Sequence, residues 1–262
     1  MGDIVQVEDR GPVRIIAINR PESRNAINLG VLLGLRKAVR DAAKAEHLRS
    51  IVFTGRGGAF SAGADVKEWA EIANGKSPHP DHDWVGEAIQ LIQEVTKLPK
   101  PTIAMMDGAA VGAGLDMALA CDFRIASSRA KFICAYTRVG YPPDCGGSWL
   151  LPRLIGLEAA KIFVYTGDAW DAAKAKSVGM VTEVVAEGEL EATTMAWAER
   201  MAKTPTVATG LAKHLLDAAH RRTFAEQLSE EERAGKICAK TADHAEGLAA
   251  ANEKRVPNFV GR

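Results

Sequence analysis

A chain of 262 residues can build one large domain or a core with a smaller appendage, and its 47% hydrophobic content suits a globular protein with a substantial core. Its 33 basic and 33 acidic residues cancel without a block of like charge, which leaves no electrostatic footprint for nucleic acid or an anionic membrane surface. Asp107 and Asp116 interrupt the longest apolar run, so no segment reaches membrane-spanning length and a soluble, cytoplasmic protein is expected.

The opening MGDIVQVEDR is acidic and alternating, unlike a signal or transit peptide, and Gln6 departs from the myristoylation pattern. VQVE and VRIIAINR alternate around Gly11-Pro12 and predict a hairpin or two consecutive strands. RPESRNAIN then leads into an amphipathic helix, with Leu29, Leu32, Leu35, Val39 and Ala42 inside and Arg36, Lys37, Arg40 and Lys44 outside. SIVFTG reads as a buried strand. After it, GRGGAFSAGADVKEW forms a glycine-rich turn that ends with Asp65 at a helix start. Residues 74–83 make a polar loop in which His79 and His82 read as solvated, and WVGEAIQLIQEVTKL reads as a helix stopped by Pro99 and Pro101.

The stretch from residue 102 to residue 147 is the richest in chemistry. TIAMM predicts a buried strand, followed by a turn with Gly108, Gly112 and Gly114 and then the apolar helix LDMALAC. Such a turn leaves backbone N–H groups unpaired at a helix start, where they can receive developing negative charge. Asp116 stands one turn into that helix on an apolar face. Asp144 follows Pro142 and Pro143 in a stiff turn that opens into Gly146 and Gly147. Each has a plainer reading, Asp116 as a helix-start residue and Asp144 as a turn former, yet two carboxylates beside unpaired amides suit proton transfer next to an oxyanion. The pattern IVFTG…SAGADVKEWAEI echoes TIAMMDG…GAGLDMALA, and two turns of one type can aim amides at a single point.

FRIAS and KFICA read as strands and SWLLPRLIG as a short helix broken at Pro152. From Leu157 onward helical patterns dominate, with MVTEVV the one predicted strand among them. The chain is therefore expected to divide into an α/β core over residues 1–200 and a helical region over 201–262 that packs on neighbouring subunits and covers the site. Cys121, Cys134, Cys145 and Cys238 lack metal-ligand spacing and read as four reduced thiols.

FSAGADVKE, DGAAVGAGLDMALACD, RVGYPPDCGG…LPRLIG and ADHAEGLAAANEKRVPNF together resemble the crotonase family, the enoyl-CoA hydratase and isomerase superfamily, over nearly the whole chain. The resemblance implies an α/β fold: a spiral of strand-strand-helix repeats with a helical C-terminal trimerisation region, giving a homotrimer or a dimer of trimers. It also implies an acyl-CoA thioester substrate and no metal or redox cofactor, coenzyme A being part of the substrate. In the family two backbone N–H groups hold the thioester oxygen, and these map onto Ala64 and Ala113. Coenzyme A would then run past Arg24, Ala26, Ala62, Asp65, Val66 and Lys67.

Hydratases of the family carry two glutamates, and the matching positions here are Asp116 and Tyr136. An unperturbed tyrosine ionises near pH ~10, so it donates a proton or fixes a water but makes a poor base. Asp144 resembles the aspartate of family isomerases that shift dienoyl-CoA double bonds. The expectation is isomerisation of an enoyl- or dienoyl-CoA, with Asp144 as principal base, Asp116 as partner and Tyr136 as an orienting or donating phenol. The alternative is hydration of a 2-enoyl-CoA by a water held between Asp116 and Asp144. A serine peptidase would need Ser61 or Ser148 in a set with His and Asp, and no His occurs between residues 83 and 213. A non-catalytic acyl-CoA or RNA binder would leave both aspartates without a role. The acyl pocket is expected between Ala70 and Val85 and between Phe132 and Tyr141.

Overall fold

The computed structural model describes residues 3–77 and 80–262, and of Ala73 the backbone alone. Strand β1 (Val5–Arg10) turns at Gly11, whose φ of 59° favours a residue without Cβ, and returns antiparallel as β2 (Val13–Ile18). Helix α1 (Leu29–Lys44) starts where the Asn28 side chain accepts from the Val31 N–H, and strand β3 (Ser50–Gly55) follows. Asp65 caps α2 (Val66–Ala73) by accepting from the Lys67 N–H, and Asp83 caps α3 (Trp84–Lys97) in the same way from Gly86. Then come β4 (Thr102–Met106), β5 (Ala109–Val111), α4 (Ala113–Leu119), β6 (Phe123–Ser127) and β7 (Lys131–Ile133). The chain continues through α5 (Gly147–Ile155), α6 (Leu157–Thr166), β8 (Ala169–Asp171), α7 (Ala172–Ser177) and β9 (Glu183–Val185). It ends in α8 (Leu190–Ala202), α9 (Thr206–Ala218), α10 (Phe224–Cys238) and α11 (Ala242–Glu253).

Six strands form one sheet in the order β1-β2-β3-β4-β6-β9, parallel except for the opening hairpin; β5, β7 and β8 form a second. The chain passes from the large sheet to the small one and then into a helix, as β4, β5 and α4. It does the same after β3, where an isolated bridge from Ser61 to Ala110 precedes α2. That shared path is the physical origin of the repeated glycine-turn pattern.

Alternation along the strands splits the interior. Ile16, Ile18, Phe53, Ala104 and Met106 face α1 and α3, while Val13, Ile15, Val52, Ile103 and Met105 face Leu190, Ala198 and Ala202 of α8. The C-terminal helices are tied back to this frame. Lys213 on α9 reaches Asp122 at 3.0 Å, and Arg49 donates to the Thr206 hydroxyl at 3.0 Å and to the Phe259 carbonyl at 2.7 Å.

Three local expectations are corrected. Arg36 faces inward, only 6% exposed, because Glu87 and Glu94 of α3 meet its guanidinium there, the latter at 2.9 Å. Helix α5 runs through Pro152 rather than breaking, since Leu151 and Ile155 on either side of it are buried and outweigh one missing N–H. A second strand, β8, lies beyond Leu157; three residues are too few to show a period, and its pairing with β7 is what makes it a strand. His82 stands 2.8 Å from Glu87, whereas His79 lies outside the described residues. Among the described residues no helix is long and apolar enough to cross a membrane.

Candidate active site

Two glycine turns meet below α2 and α4. At the first, Ile27 donates to the Gly63 carbonyl at 2.7 Å and Asp65 donates to the Ile27 carbonyl at 2.9 Å, which fixes the chain on both sides of Ala64. At the second, Gly112 (φ 50°) donates to the Ile133 carbonyl at 3.0 Å and accepts from the Asp116 N–H at 2.9 Å, leaving Ala113 as the first residue of α4. Neither the Ala64 nor the Ala113 N–H has an acceptor among the described residues. The turns touch: a Cβ at Gly63 would stand 2.7 Å from the Val111 carbonyl oxygen and 3.9 Å from the Ala113 nitrogen. Only glycine fits at that approach.

Ser61 supports this arrangement from below. Its hydroxyl donates to the Asn25 carbonyl at 2.8 Å and accepts from the Gly63 N–H at 3.1 Å. A buried hydroxyl engaged in this way is a brace, which removes one of the two candidates for a serine nucleophile. Ser148, the other candidate, is exposed on α5.

The ionisable groups gather on the adjoining side. Asp116 is fully buried, and its Oδ2 accepts from the Tyr136 hydroxyl at 2.7 Å. Its Oδ1 has no hydrogen-bond partner among the described residues and lies against Gly147 at the start of α5. Burial is the main cause that pushes its carboxyl up to about 7. The Tyr136 hydroxyl opposes the rise, and the nearby Asp144 adds to it. Burial, reinforced by Asp116, also raises Tyr136, so the phenol remains a donor. The Tyr136 ring sits against the second turn, with Cζ 3.9 Å from where a Cβ at Gly112 would be. Asp144 is half-buried in the turn before α5, and its Oδ1 accepts from the Cys145 thiol at 3.3 Å. The structure thus brings Asp116, Tyr136 and Asp144 together beside the Ala113 turn.

The residues expected along coenzyme A cluster around the first turn but differ in their freedom. Arg24 is exposed in the left-handed region at φ 51°, and its carbonyl accepts from the Ala62 N–H at 2.9 Å. Val66 and Lys67 are exposed and Ala26 is buried. The Asp65 carboxylate is occupied by the α2 cap and by Arg20 at 3.0 Å, and Arg20 also donates to the Ala26 carbonyl at 2.7 Å. Arg20 went unnoticed in the sequence, where it reads as one more charge between a strand and a proline.

An aromatic group lines the neighbouring surface. Trp69 meets Trp84 edge-on at 5.6 Å and Tyr141 at 5.8 Å between ring centroids. Trp84 and Tyr141 fall in the segments expected to wall the acyl pocket, while Trp69 lies one residue before them. Its place four residues after the Asp65 cap was the available signal, because that spacing turns it to the same side of α2 as the cap.

A family model described as enoyl-CoA hydratase/isomerase matches residues 8–262. The 1,2-epoxyphenylacetyl-CoA isomerase of Escherichia coli strain K12 is 34% identical over 255 residues, covering 95% of this chain and 95% of its own. The mitochondrial enoyl-CoA hydratase domain-containing protein 2 of Mus musculus is 34% identical over 256 residues, covering 94% of this chain and 84% of its own. A crystal structure of enoyl-CoA hydratase from Bacillus anthracis superposes with a TM-score of 0.90 at 33% identity, over 99% of this chain and 100% of that one.

Proposed function

The chain belongs to the enoyl-CoA hydratase/isomerase family and is an enzyme of it, and from that premise we propose that it shifts a double bond of an enoyl- or dienoyl-CoA. The observation that carries this reading is the 2.7 Å bond from Tyr136 to Asp116, with Asp144 as the second carboxylate of the site. A phenol held protonated stands where a water-activating carboxylate would be needed, so water has one fewer base to serve it.

In the proposed sequence the thioester oxygen accepts from the N–H groups of Ala64 and Ala113, which stabilise the developing enolate by roughly 3 kcal/mol per donor. Asp144 takes a proton from one carbon of the allylic system, and that C–H electron pair moves into the enolate. Asp116, whose carboxyl holds its proton to about 7, returns one to the carbon at the other end, and the double bond settles in its new place. One C–H bond breaks and one forms; no water is consumed. Tyr136 orients Asp116. Coenzyme A is read as lying past Arg24, Ala26, Ala62, Asp65, Val66 and Lys67, with no further cofactor. Apolar side chains left exposed on the C-terminal helices, Leu216 and Phe224 among them, support assembly of residues 201–262 with further copies as a trimer or dimer of trimers.

Hydration of a 2-enoyl-CoA is the second reading, favoured by the presence of two carboxyls in one site and by hydratases among the relatives. Incubation with 2-enoyl-, 3-enoyl- and 3,5-dienoyl-CoA separates the two. Migration of the double bond in the 3-enoyl or dienoyl compound, abolished by Asp144→Asn, is expected. Rapid hydration of crotonyl-CoA with the 3-enoyl compound untouched would establish the hydratase instead.

A further inference from the structure

Cys145 has no part in the proton transfers above, yet its thiol is hydrogen-bonded to the proposed base. The turn that carries it is tightly determined. Pro142 and Pro143 stiffen the approach, Gly146 reverses the chain at φ 93°, and α5 begins at Gly147. Between them Asp144 stays half-buried while Cys145, 1% exposed, turns into the interior. The thiol lies 3.3 Å from Asp144 Oδ1, and among the described residues it is the one hydrogen-bond donor to that carboxylate. Burial, with Asp144 and Asp116 nearby, raises the thiol, so the group remains S–H and serves Asp144 as a donor.

We propose that Cys145 is a positioning residue for the reaction: its S–H holds Asp144 Oδ1 and fixes the rotamer that presents Oδ2 to the substrate carbon. The role rests on the reading of Asp144 as the base. Among the described residues no other side chain hydrogen-bonds to this half-buried aspartate, and without the thiol its carboxylate is free to rotate toward water. A misplaced base lowers the rate of proton removal while the thioester and coenzyme A contacts, which set binding, stay as they were.

Cys145→Ala is expected to lower kcat on the 3-enoyl or dienoyl substrate about tenfold with KM changed less than about twofold, a thiol being a weak donor to a charged acceptor. Cys145→Ser, which restores a donor, is expected to recover most of the loss. Infrared difference spectra against Cys145→Ser, which keeps a donor but has no S–H, isolate the S–H stretch of this residue, and Asp144→Asn is expected to move it toward the frequency of a free thiol. That band is read in the wild-type fold, so it decides the matter even if the alanine variant fails to fold. An unchanged kcat in Cys145→Ala, an alanine defect that serine does not repair, or a band indifferent to Asp144→Asn would each overturn the role. Full turnover in Asp144→Asn would instead remove the base itself; full turnover in Cys145→Ala beside an inactive Asp144→Asn would remove only the positioning role.

Discussion

Gly147 leaves no room for a side chain beside Asp116: a Cβ there would stand 2.4 Å from Asp116 Oδ1 and 3.1 Å from its Cγ. The first residue of α5 therefore defines how deep the carboxyl of α4 can sit. Both elements are buried at this point, so neither can retreat cheaply. Gly147→Ala should destabilise the fold by about 1–3 kcal/mol and reduce turnover more than substrate binding. A urea titration alongside steady-state kinetics checks both, and an alanine variant with wild-type kcat would contradict the contact.

Asp116 also makes stability depend on pH in an unusual direction for an aspartate. The folded chain keeps this proton to about 7, whereas an ordinary aspartate releases it near 3.8, so between those values the folded state binds the extra proton. Its favourable contribution is complete below the lower value and is lost as pH rises through the upper one, a swing on the order of a few kcal/mol. Asp116→Asn should melt at a temperature that no longer falls across this window, and it should lack the proton donor that the wild type loses above about 7. Melting curves from pH 4 to pH 8, for both proteins, provide the comparison.

Ala113 offers a way to delete one backbone donor without touching a side chain. It is the first residue of α4, a position where proline is tolerated because its missing N–H has no partner within the helix. Ala113→Pro should keep the circular dichroism of the wild type and lower kcat about 100-fold, the usual effect of losing one oxyanion donor. Retained turnover would show that this amide does not face the reacting oxygen.

Arg36 is the clearest test of packing away from the chemistry. Its guanidinium is buried between α1 and α3 against Glu87 and Glu94, so Arg36→Ala would remove their shared buried partner and leave Glu87 only His82 and Glu94 only the more exposed Arg40. A loss of about 3–5 kcal/mol is expected in equilibrium unfolding, with kcat preserved at temperatures where the variant stays folded. A loss under about 1 kcal/mol would place the pair with ordinary surface ion pairs.

The sequence by itself determined those features that arise from neighbours along the chain. The 2-residue period of β1 and β2, the apolar stripe of α1 and the caps at Asn28 and Asp65 follow from local sterics and hydrogen bonding. The two glycine turns were legible for the same reason, since a positive φ at Gly63 or Gly112 is a property of one residue. Their meeting was expected from their repetition and from the family resemblance, not from local sterics. It needs β3 and β4 side by side and the Ser61–Ala110 bridge, contacts made across long stretches of chain. Only the tertiary structure turned Arg36 inward, because a charge is read as exposed until opposite charges more than 50 residues away arrive to meet it. Asp116, Tyr136 and Asp144 were grouped in one site by the family resemblance, but only the tertiary structure decided their contacts and added Cys145, since α4, the turn before α5 and the segment after β7 are brought together by packing across the two sheets, which no spacing along the chain encodes.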